Sequence, residues 1–526
     1  MGVYLNPGYD GFKKSLRSEI YIDKSGLIAY TNSVLDTEQQ SICVSRPRRF
    51  GKSMAAKMLT AYYDCSVDSS ELFQGLSVTE APSFEEHLNK YDVVSVNMLD
   101  FLSMTGSVEQ MLECFQENIL DELEEAYGDI LQHTRRNILT YFSKVYAVNK
   151  RGFVIIIDEW DCIFRYDPDH TDGQKQYLDF LRLWLKDKNY VKLAYLTGIL
   201  PIKKYGVHSG LNMFEEFSML DAKRLGGCFG FVESEVRELC SRYQMDFSEI
   251  KRWYDGYRLK NAGHVYSPKS VVDAMRNHDY HSYWNSTETY EALRIYLDMN
   301  FDGLKDSIVR MIADEKIRIN SQTFQNDMKN FATKDDVLTL LVHLGYLAYE
   351  SEQQSVYIPN EEIRQEFINA IEISKWTEVM DAVKQSDSLL QALWNGDEEA
   401  VAAGIARVHQ ENTSILQYNN ENSLSCVVSL AFYSARDYYT IHREMPAGKG
   451  FADLVFLPRS IHREKPAIII ELKWDKDAEA AIQQIKKQGY VHFLQDYSGD
   501  VILAGINYDK KKKEHSCRID IMPATS

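Results

Sequence analysis

Long apolar runs are missing from this sequence of 526 residues. No stretch of about 18 apolar residues occurs, so no membrane-spanning helix is expected. Residues 1–21 are polar and charged and hold no apolar segment, which predicts no secretory leader. Paired cysteines are missing as well. Eight cysteines stand singly at positions 43, 65, 114, 162, 228, 240, 426 and 517. Without a CxxC pair, a zinc ribbon, a dithiol redox motif and a disulfide scaffold are all disfavoured, and a reducing cytoplasm is the expected setting. No internal repeat and no low-complexity linker breaks the chain. An excess of basic charge is also lacking: 59 Lys and Arg stand against 77 Asp and Glu, for a net charge of −18. That balance argues against a protein that coats nucleic acid non-specifically, because phosphate contacts need cations.

What is present is enough apolar material for several cores, with 44% hydrophobic and 12% aromatic residues. At roughly 100–200 residues per domain, three or four domains are expected. The charge is unevenly placed. Residues 441–526 carry 14 basic and 12 acidic side chains, so the remainder of the chain bears −20. Residues 41–60 hold five basic side chains and no acid. Two places are therefore prepared for anions within an otherwise acidic protein.

Periodicity divides the chain coarsely. Residues 41–45 form a short apolar strand, followed by a basic loop and a helical pattern through Met58 and Tyr62. Residues 107–148 read as amphipathic helix. Phe153–Ile157 is an unbroken apolar run, as suits a parallel strand buried on both faces, and residues 191–200 give another. Strands alternating with helices predict a doubly wound α/β domain. Residues 231–300 turn helical and aromatic. Residues 301–375 read as helices with a hairpin between Tyr346 and Ile358, as in a winged-helix-like module. Residues 376–430 are helical. Strands are expected at 438–443, 451–457, 467–472 and 500–508, with a helix at 477–489.

Two constellations carry chemistry. The first is Arg46-Pro47-Arg48-Arg49-Phe50-Gly51-Lys52-Ser53, between a strand and a helix. This is the end of a phosphate-binding loop, with Arg46 in place of the usual first glycine. Gly51 opens the helix, Lys52 would reach the β- and γ-phosphates, and Ser53 would ligate Mg²⁺. Asp158, at the end of the apolar run, supplies the carboxylate that such a metal needs. Glu159 beside it would orient or deprotonate water, and Thr197 at the end of the next strand would sense the γ-phosphate. Arg46, Arg48 and Arg49 would cradle phosphates, since clustered guanidiniums repel one another without an anion. Either half of this pattern is common by chance, but the two in this order point to a nucleotide site for ATP.

The second constellation is Asp453 followed by Glu471-Leu472-Lys473. Glu471 and Lys473 are two apart on a strand, hence on one face, and Asp453 lies on the preceding strand. Two carboxylates and the Leu472 carbonyl make a hard-cation site for Mg²⁺ or Mn²⁺. Lys473 would position the nucleophile, and Glu421, on the helix ahead of the strands, would complete the ligand set. Gln483, Gln484, Lys486, Lys487 and Lys510–Lys513 are candidates for nucleic-acid backbone contact, although a lysine run near a terminus is more often a solvated tail. The alternative for Glu471 and Lys473 is a plain cross-strand ion pair.

Both stretches, together with Tyr21-Ile22-Asp23-Lys24-Ser25, Ser209-Gly210-Leu211-Asn212, Trp253-Tyr254-Asp255-Gly256-Tyr257, Ile358-Pro359-Asn360 and Gly448-Lys449-Gly450, resemble bacterial AAA-ATPase-like proteins fused to a C-terminal PD-(D/E)XK nuclease-superfamily domain. The resemblance runs along nearly the whole chain, and the family itself carries Arg at the first loop position. It departs at Phe451, where the family often has Arg, and at Met213, where it often has Asn. The implied fold is α/β and multidomain. A RecA/AAA-like parallel-sheet P-loop domain spans 1–230, a helical lid-like region 231–300 and a winged-helix-like region 301–375. A restriction-endonuclease-like αβββαβ domain with leading helices spans 376–526. The implied partner is nucleic acid, DNA before RNA, with a homo-oligomer possible and no membrane. The functional expectation is an ATP-binding, ATP-hydrolysing protein whose nucleotide state gates a Mg²⁺-dependent nuclease. The competing expectations are a nucleotide-switched binding module with an inactive nuclease fold, and an adaptor whose bound nucleotide only stabilises the fold.

Overall fold

In a computed structural model, the chain is described at all residues except 1, 203–210, 285–289, 300, 302, 326–327, 329–330, 413–420, 448–449, 489–496, 498 and 524–526. The side chains of 290–292, 446–447 and 450 are likewise outside the description. Ser209, Gly210, Gly448 and Lys449 of the sequence motifs thus lie outside the described residues. The chain forms two compact units, each made of separate stretches: residues 1–287 with 318–363, and 288–317 with 364–526.

The first unit is built on five parallel strands in the order β2-β3-β4-β1-β5, namely β1 (Ser41–Ser45), β2 (Asp92–Asn97), β3 (Phe153–Asp158), β4 (Val191–Gly198) and β5 (Glu215–Phe217). β3 and β4 lie inside the sheet, which is why their sequences are apolar without alternation; β3 is buried at every position. Helix α1 (Lys52–Tyr63) follows β1 and buries Ala55, Ala56, Met58 and Leu59 in a core shared with Ile42, Val44 and Val154. The stretch 107–148 is two helices, Val108–Leu131 and Ile138–Asn149, because the chain turns at His133, where φ is +61°. The short helix α2 (Cys162–Tyr166) follows β3, and helix α3 (Pro268–Asn277) closes the aromatic region with Pro at its first turn. Helix α4 (Lys334–Leu344) leads into a hairpin of Ala348–Glu350 against Ser355–Tyr357, within the expected hairpin stretch.

The second unit is a mixed sheet in the order β6-β7-β8-β9-β10. Helix α5 (Glu421–Ala431) precedes β6 (Tyr439–Ala447), β7 (Gly450–Pro458) and β8 (Ala467–Trp474). Helix α6 (Ala478–Gln488) then precedes β9 (Val501–Asp509) and β10 (Glu514–Met522). β8 and β9 are parallel and every other pair is antiparallel, since only the β8–β9 connection contains a crossover helix. α6 packs Ile482 and Ile485 on Val455, Ile469 and Leu503. It comes so close that a Cβ on Gly505 would stand 2.3 Å from the Ala478 carbonyl oxygen. The loop after helix Leu304–Ile312 belongs to this unit, with Asp314 held by Arg364 at 2.5 Å and by Arg436. β10 is a seventh element, added to the expected αβββαβ order. No helix among the described residues is long and apolar enough to cross a membrane.

Candidate active sites

β1 ends in the basic loop, and the loop turns into α1 through Arg49 and Gly51, whose φ angles are +64° and +91°. The second is a left-handed conformation that Gly adopts without strain. The turn and the first residues of α1 border a cavity of about 860 Å³. Arg48, Arg49, Gly51, Lys52 and Ser53 line one end of it. Ile20, Tyr21, Ile22, Phe231 and Val272 line an apolar side, and Lys269 and Arg276 of α3 border it. These apolar and α3 residues carry no motif, so nothing local in the sequence announces them.

Lys52 is buried, and its ammonium donates to the carbonyls of Arg46 and Pro47, both at 2.9 Å. Burial holds its pKa below the usual lysine value, against the pull of Glu159, Asp158 and Asp161. The Asp158 carboxylate accepts the Glu159 N–H at 3.0 Å. Asp158 is 8% exposed, and desolvation raises its pKa against the opposing pull of the nearby Ser53 hydroxyl. Thr197 pairs in register with Asp158 on the neighbouring strand; it lies outside the cavity lining, and its hydroxyl is buried without a hydrogen-bond partner.

Arg46 requires a correction. Its side chain does not reach the cavity. It is fully buried and donates to the carbonyls of Ser45 and Phe217, both at 2.8 Å, with its guanidinium 5.4 Å from the Phe229 ring. Burial brings its pKa down to about 10. It therefore ties the end of β1 to edge strand β5, a structural duty rather than a phosphate contact.

Glu159 reaches the cavity from a left-handed residue, φ +53°, and is ion-paired with Arg165 of α2. Arg165 also binds Asp161 at 3.1 Å. Asp161 in turn accepts the N–H groups of Ile199 at 3.0 Å and Leu200 at 2.8 Å, which fixes the ends of β3 and β4 together. Gly198 permits this approach, because a Cβ there would stand 2.5 Å from the Asp161 carboxylate. Neither Arg165 nor Asp161 was singled out from the sequence. The run Asp158-Glu159-Trp160-Asp161 was the available signal for the second, but nothing marks an arginine four residues further on.

In the second unit, β7 and β8 pair as far as Leu454 opposite Ile470. There the ladder stops, and the Asp453 carboxylate accepts the Leu472 N–H at 2.7 Å in place of a strand partner. Glu471 and Lys473, on the same face of β8, are 2% and 6% exposed and bonded to each other at 2.9 Å. The second Glu471 oxygen is buried and has no hydrogen-bond partner. Burial, and then the Asp453 charge, push Glu471 up to about 7; burial is likewise the main cause of the raised Asp453 pKa, with Glu421 and Glu444 adding to it. Glu421 is exposed at the start of α5 and acts on both carboxylates through its charge. Glu444, a further neighbour, was not anticipated. Among the described residues no group of three or more His, Cys, Asp or Glu is arranged to hold a metal. A cation here would therefore rest on two carboxylates and main-chain oxygen. A half-buried carboxylate beside a buried one with an unpartnered oxygen fits a hard cation chemically.

The expected backbone contacts divide. Gln483 bonds Glu479 at 3.0 Å and Lys486 pairs with Asp520, so both are engaged within the unit. Lys510–Lys513 form an exposed turn whose amides cap Asp475 and Asp509.

Comparison with known proteins agrees with this two-part layout. Residues 8–208 match the family described as "Predicted AAA-ATPase", and residues 419–516 match the PD-(D/E)XK nuclease superfamily. A curated relative, an uncharacterized protein in the vnfD 5′ region of Azotobacter chroococcum mcd 1, is 26% identical over 282 residues. That match covers 51% of each chain, so this chain spans about half the length of its relative. Solved structures show slighter likeness. The Aeropyrum pernix ORC2 protein in its ADPNP–ADP complexes is 13% identical, with a TM-score of 0.32, over 69% of this chain and 98% of that one. Cdc6p from Pyrobaculum aerophilum is 9% identical, with a TM-score of 0.25, over 69% and 98%. Neither score supports an argument about this chain. The family matches and the two sheets together identify residues 8–208 as an AAA-ATPase-like domain and residues 419–516 as a C-terminal domain of the PD-(D/E)XK nuclease superfamily.

Proposed function

We propose that this chain binds and hydrolyses ATP in the cavity over α1, and that its C-terminal domain is a Mg²⁺-dependent phosphodiesterase acting on nucleic acid, DNA before RNA. We further propose that nucleotide state decides when it cuts. The observation that carries the proposal is the Asp453–Glu471 pair: a half-buried and a buried carboxylate where the sheet splays, beside Lys473.

In the nucleotide cavity, Lys52 would exchange its two carbonyl partners for phosphate oxygens, and Arg48 and Arg49 would add cationic contacts at the rim. Ser53 and Asp158 would hold Mg²⁺, and Thr197 would supply a hydroxyl one strand away. Glu159 would orient the attacking water once it leaves Arg165. In the C-terminal unit, Asp453, Glu471 and the Leu472 carbonyl would hold Mg²⁺ or Mn²⁺, with Glu421 contributing from outside. When bound, that ion supplies an activated water and neutralises phosphate charge. Lys473, now held by Glu471, would orient the water against the scissile phosphate.

The test is cleavage of a mixed DNA and RNA panel with Mg²⁺ or Mn²⁺, with and without ATP, using the wild-type chain, Lys473→Ala and Lys52→Ala. Cleavage should vanish in Lys473→Ala. ATP dependence should vanish in Lys52→Ala, which should also lose the rise in melting temperature that ATP gives to the wild type. No cleavage under any condition, from protein that still binds ATP, would leave a nucleotide-switched binding module. Cleavage indifferent to ATP would separate the two activities.

A further inference from the structure

Glu159 and Arg165 line the same cavity as Lys52 and Ser53, and they occupy each other. Their side chains are 19% and 6% exposed. The Arg165 guanidinium has two carboxylate partners. Asp161 accepts from its Nε at 3.1 Å, and at 3.4 Å from the nitrogen that serves Glu159. The two partners differ in freedom. Asp161 is fully buried, lies outside the cavity lining and is fixed by the N–H groups of Ile199 and Leu200. Glu159 stands in the cavity on the turn that follows β3. Asp161 is therefore the mooring of the guanidinium, and Glu159 the partner that can be exchanged. Burial first, and the Arg165 charge in the same direction, lower the Lys52 pKa, so the two cations lie within one another's field. Two such cations in one cavity suit a shared anion.

We propose that Arg165 reads the γ-phosphate: it holds Glu159 until a nucleoside triphosphate takes it over, and only then is the Glu159 carboxylate released to orient water. This deepens the nucleotide reading and rests on it. A terminal phosphate carries more charge than a carboxylate and presents several oxygens to a planar fork, so the exchange replaces one ion pair by a stronger one. The Asp161 bonds stay in place throughout, so the guanidinium changes one partner without losing its mooring. A diphosphate lacks the group that would displace Glu159, and with it the carboxylate stays paired. Recognition and chemistry are thereby linked, because the residue that would orient water is withheld until the bond to be cut has arrived. The same exchange makes Arg165 the source of the preference for triphosphate over diphosphate.

The experiment measures binding rather than turnover. The full chain is titrated by calorimetry with ADP and with the non-hydrolysable β,γ-imido analogue of ATP, each with Mg²⁺. The wild type should prefer the triphosphate. Arg165→Gln should weaken triphosphate binding by about 10- to 150-fold and leave ADP within about twofold. Glu159→Gln removes the competitor and should tighten triphosphate binding by at least about twofold, with no such gain in the Arg165→Gln background. Arg165→Lys keeps a cation for Asp161 without the fork that spans two anions. It should lose the preference as well, which covers a glutamine variant that does not fold. The proposal is overturned if the wild type or the folded Arg165 variants show the same ratio of triphosphate to ADP affinity, since loss of a merely structural ion pair would weaken both ligands alike. It is also overturned if Glu159→Gln tightens binding equally in both backgrounds, which would mean simple charge repulsion. In each of these cases the nucleotide reading stands. If the wild type binds neither ligand, the nucleotide reading falls and this inference with it.

Discussion

His343 is 1% exposed, and both its ring nitrogens are buried without a hydrogen-bond partner, while its ring stacks on Phe324 at 5.7 Å. Burial first, and then the charge of Arg46, lower its pKa to about 3 from 6.5. The folded protein holds this imidazole neutral at a pH where the unfolded chain would protonate it. Stability from this group is therefore whole above pH 6.5 and lost as pH falls towards 3, by at most about 1.4 kcal/mol per pH unit. His343→Leu should flatten that acid limb in chemical denaturation at pH 7.5 and pH 5, and an unchanged pH dependence would show that other groups dominate it. Individual residues were unequally legible in the sequence. Gly51, Lys52, Ser53 and Asp158 follow from local geometry, because a helix start and a strand end fix where such side chains go. Arg46 does not, since a sequence gives a charge but not its direction, and this guanidinium turns inward to the Phe217 carbonyl. Arg165 and the apolar cavity side depend on distant elements and have no local signature.

Between elements, the basic loop is wedged against α4. Gly345, which ends that helix with φ +90°, lies so close to the loop that a Cβ there would stand 2.8 Å from Pro47 Cβ and 3.1 Å from the Trp284 ring. Phe50 meets Tyr257 edge-on at 5.4 Å, and the Tyr257 hydroxyl donates to the Gly345 carbonyl at 2.5 Å. The phosphate loop and the end of α4 thus share one packed contact. Gly345→Ala would add backbone strain of about 1 kcal/mol and overpacking of about 1–3 kcal/mol. It should lower stability by an amount in that range and weaken ATP binding by calorimetry, and Pro47→Gly in the same chain should recover part of both. Additive losses would show that the contact does not couple them. At this scale, β1, β3, β4 and β6 to β9 were legible, and β2, β5 and β10 were not. β1, β3 and β4 are apolar runs. β2 mixes polar with apolar residues, β5 is three residues long, and β10 is an edge strand whose burial alternates. The helical reading of 107–148 missed its turn because amphipathic periodicity persists across it.

On the scale of the whole molecule, two chemistries could be told apart in the sequence because each sits on a strand end with its own spacing. The way the chain returns between its units, with 318–363 joining the first and 288–317 the second, leaves no mark in composition. On the proposed nuclease reading, each chain carries a single Asp453–Glu471 pair, so one encounter would break one strand only. Supercoiled circular DNA offered to the wild-type protein should pass through an open circle before any linear form accumulates, as followed on agarose gels; linear product from the outset would mean two chains acting together. In topological terms, the first cut releases the linking number of the circle while conserving its length. Torsion is then gone, and a second cut would need a separate encounter with a relaxed circle.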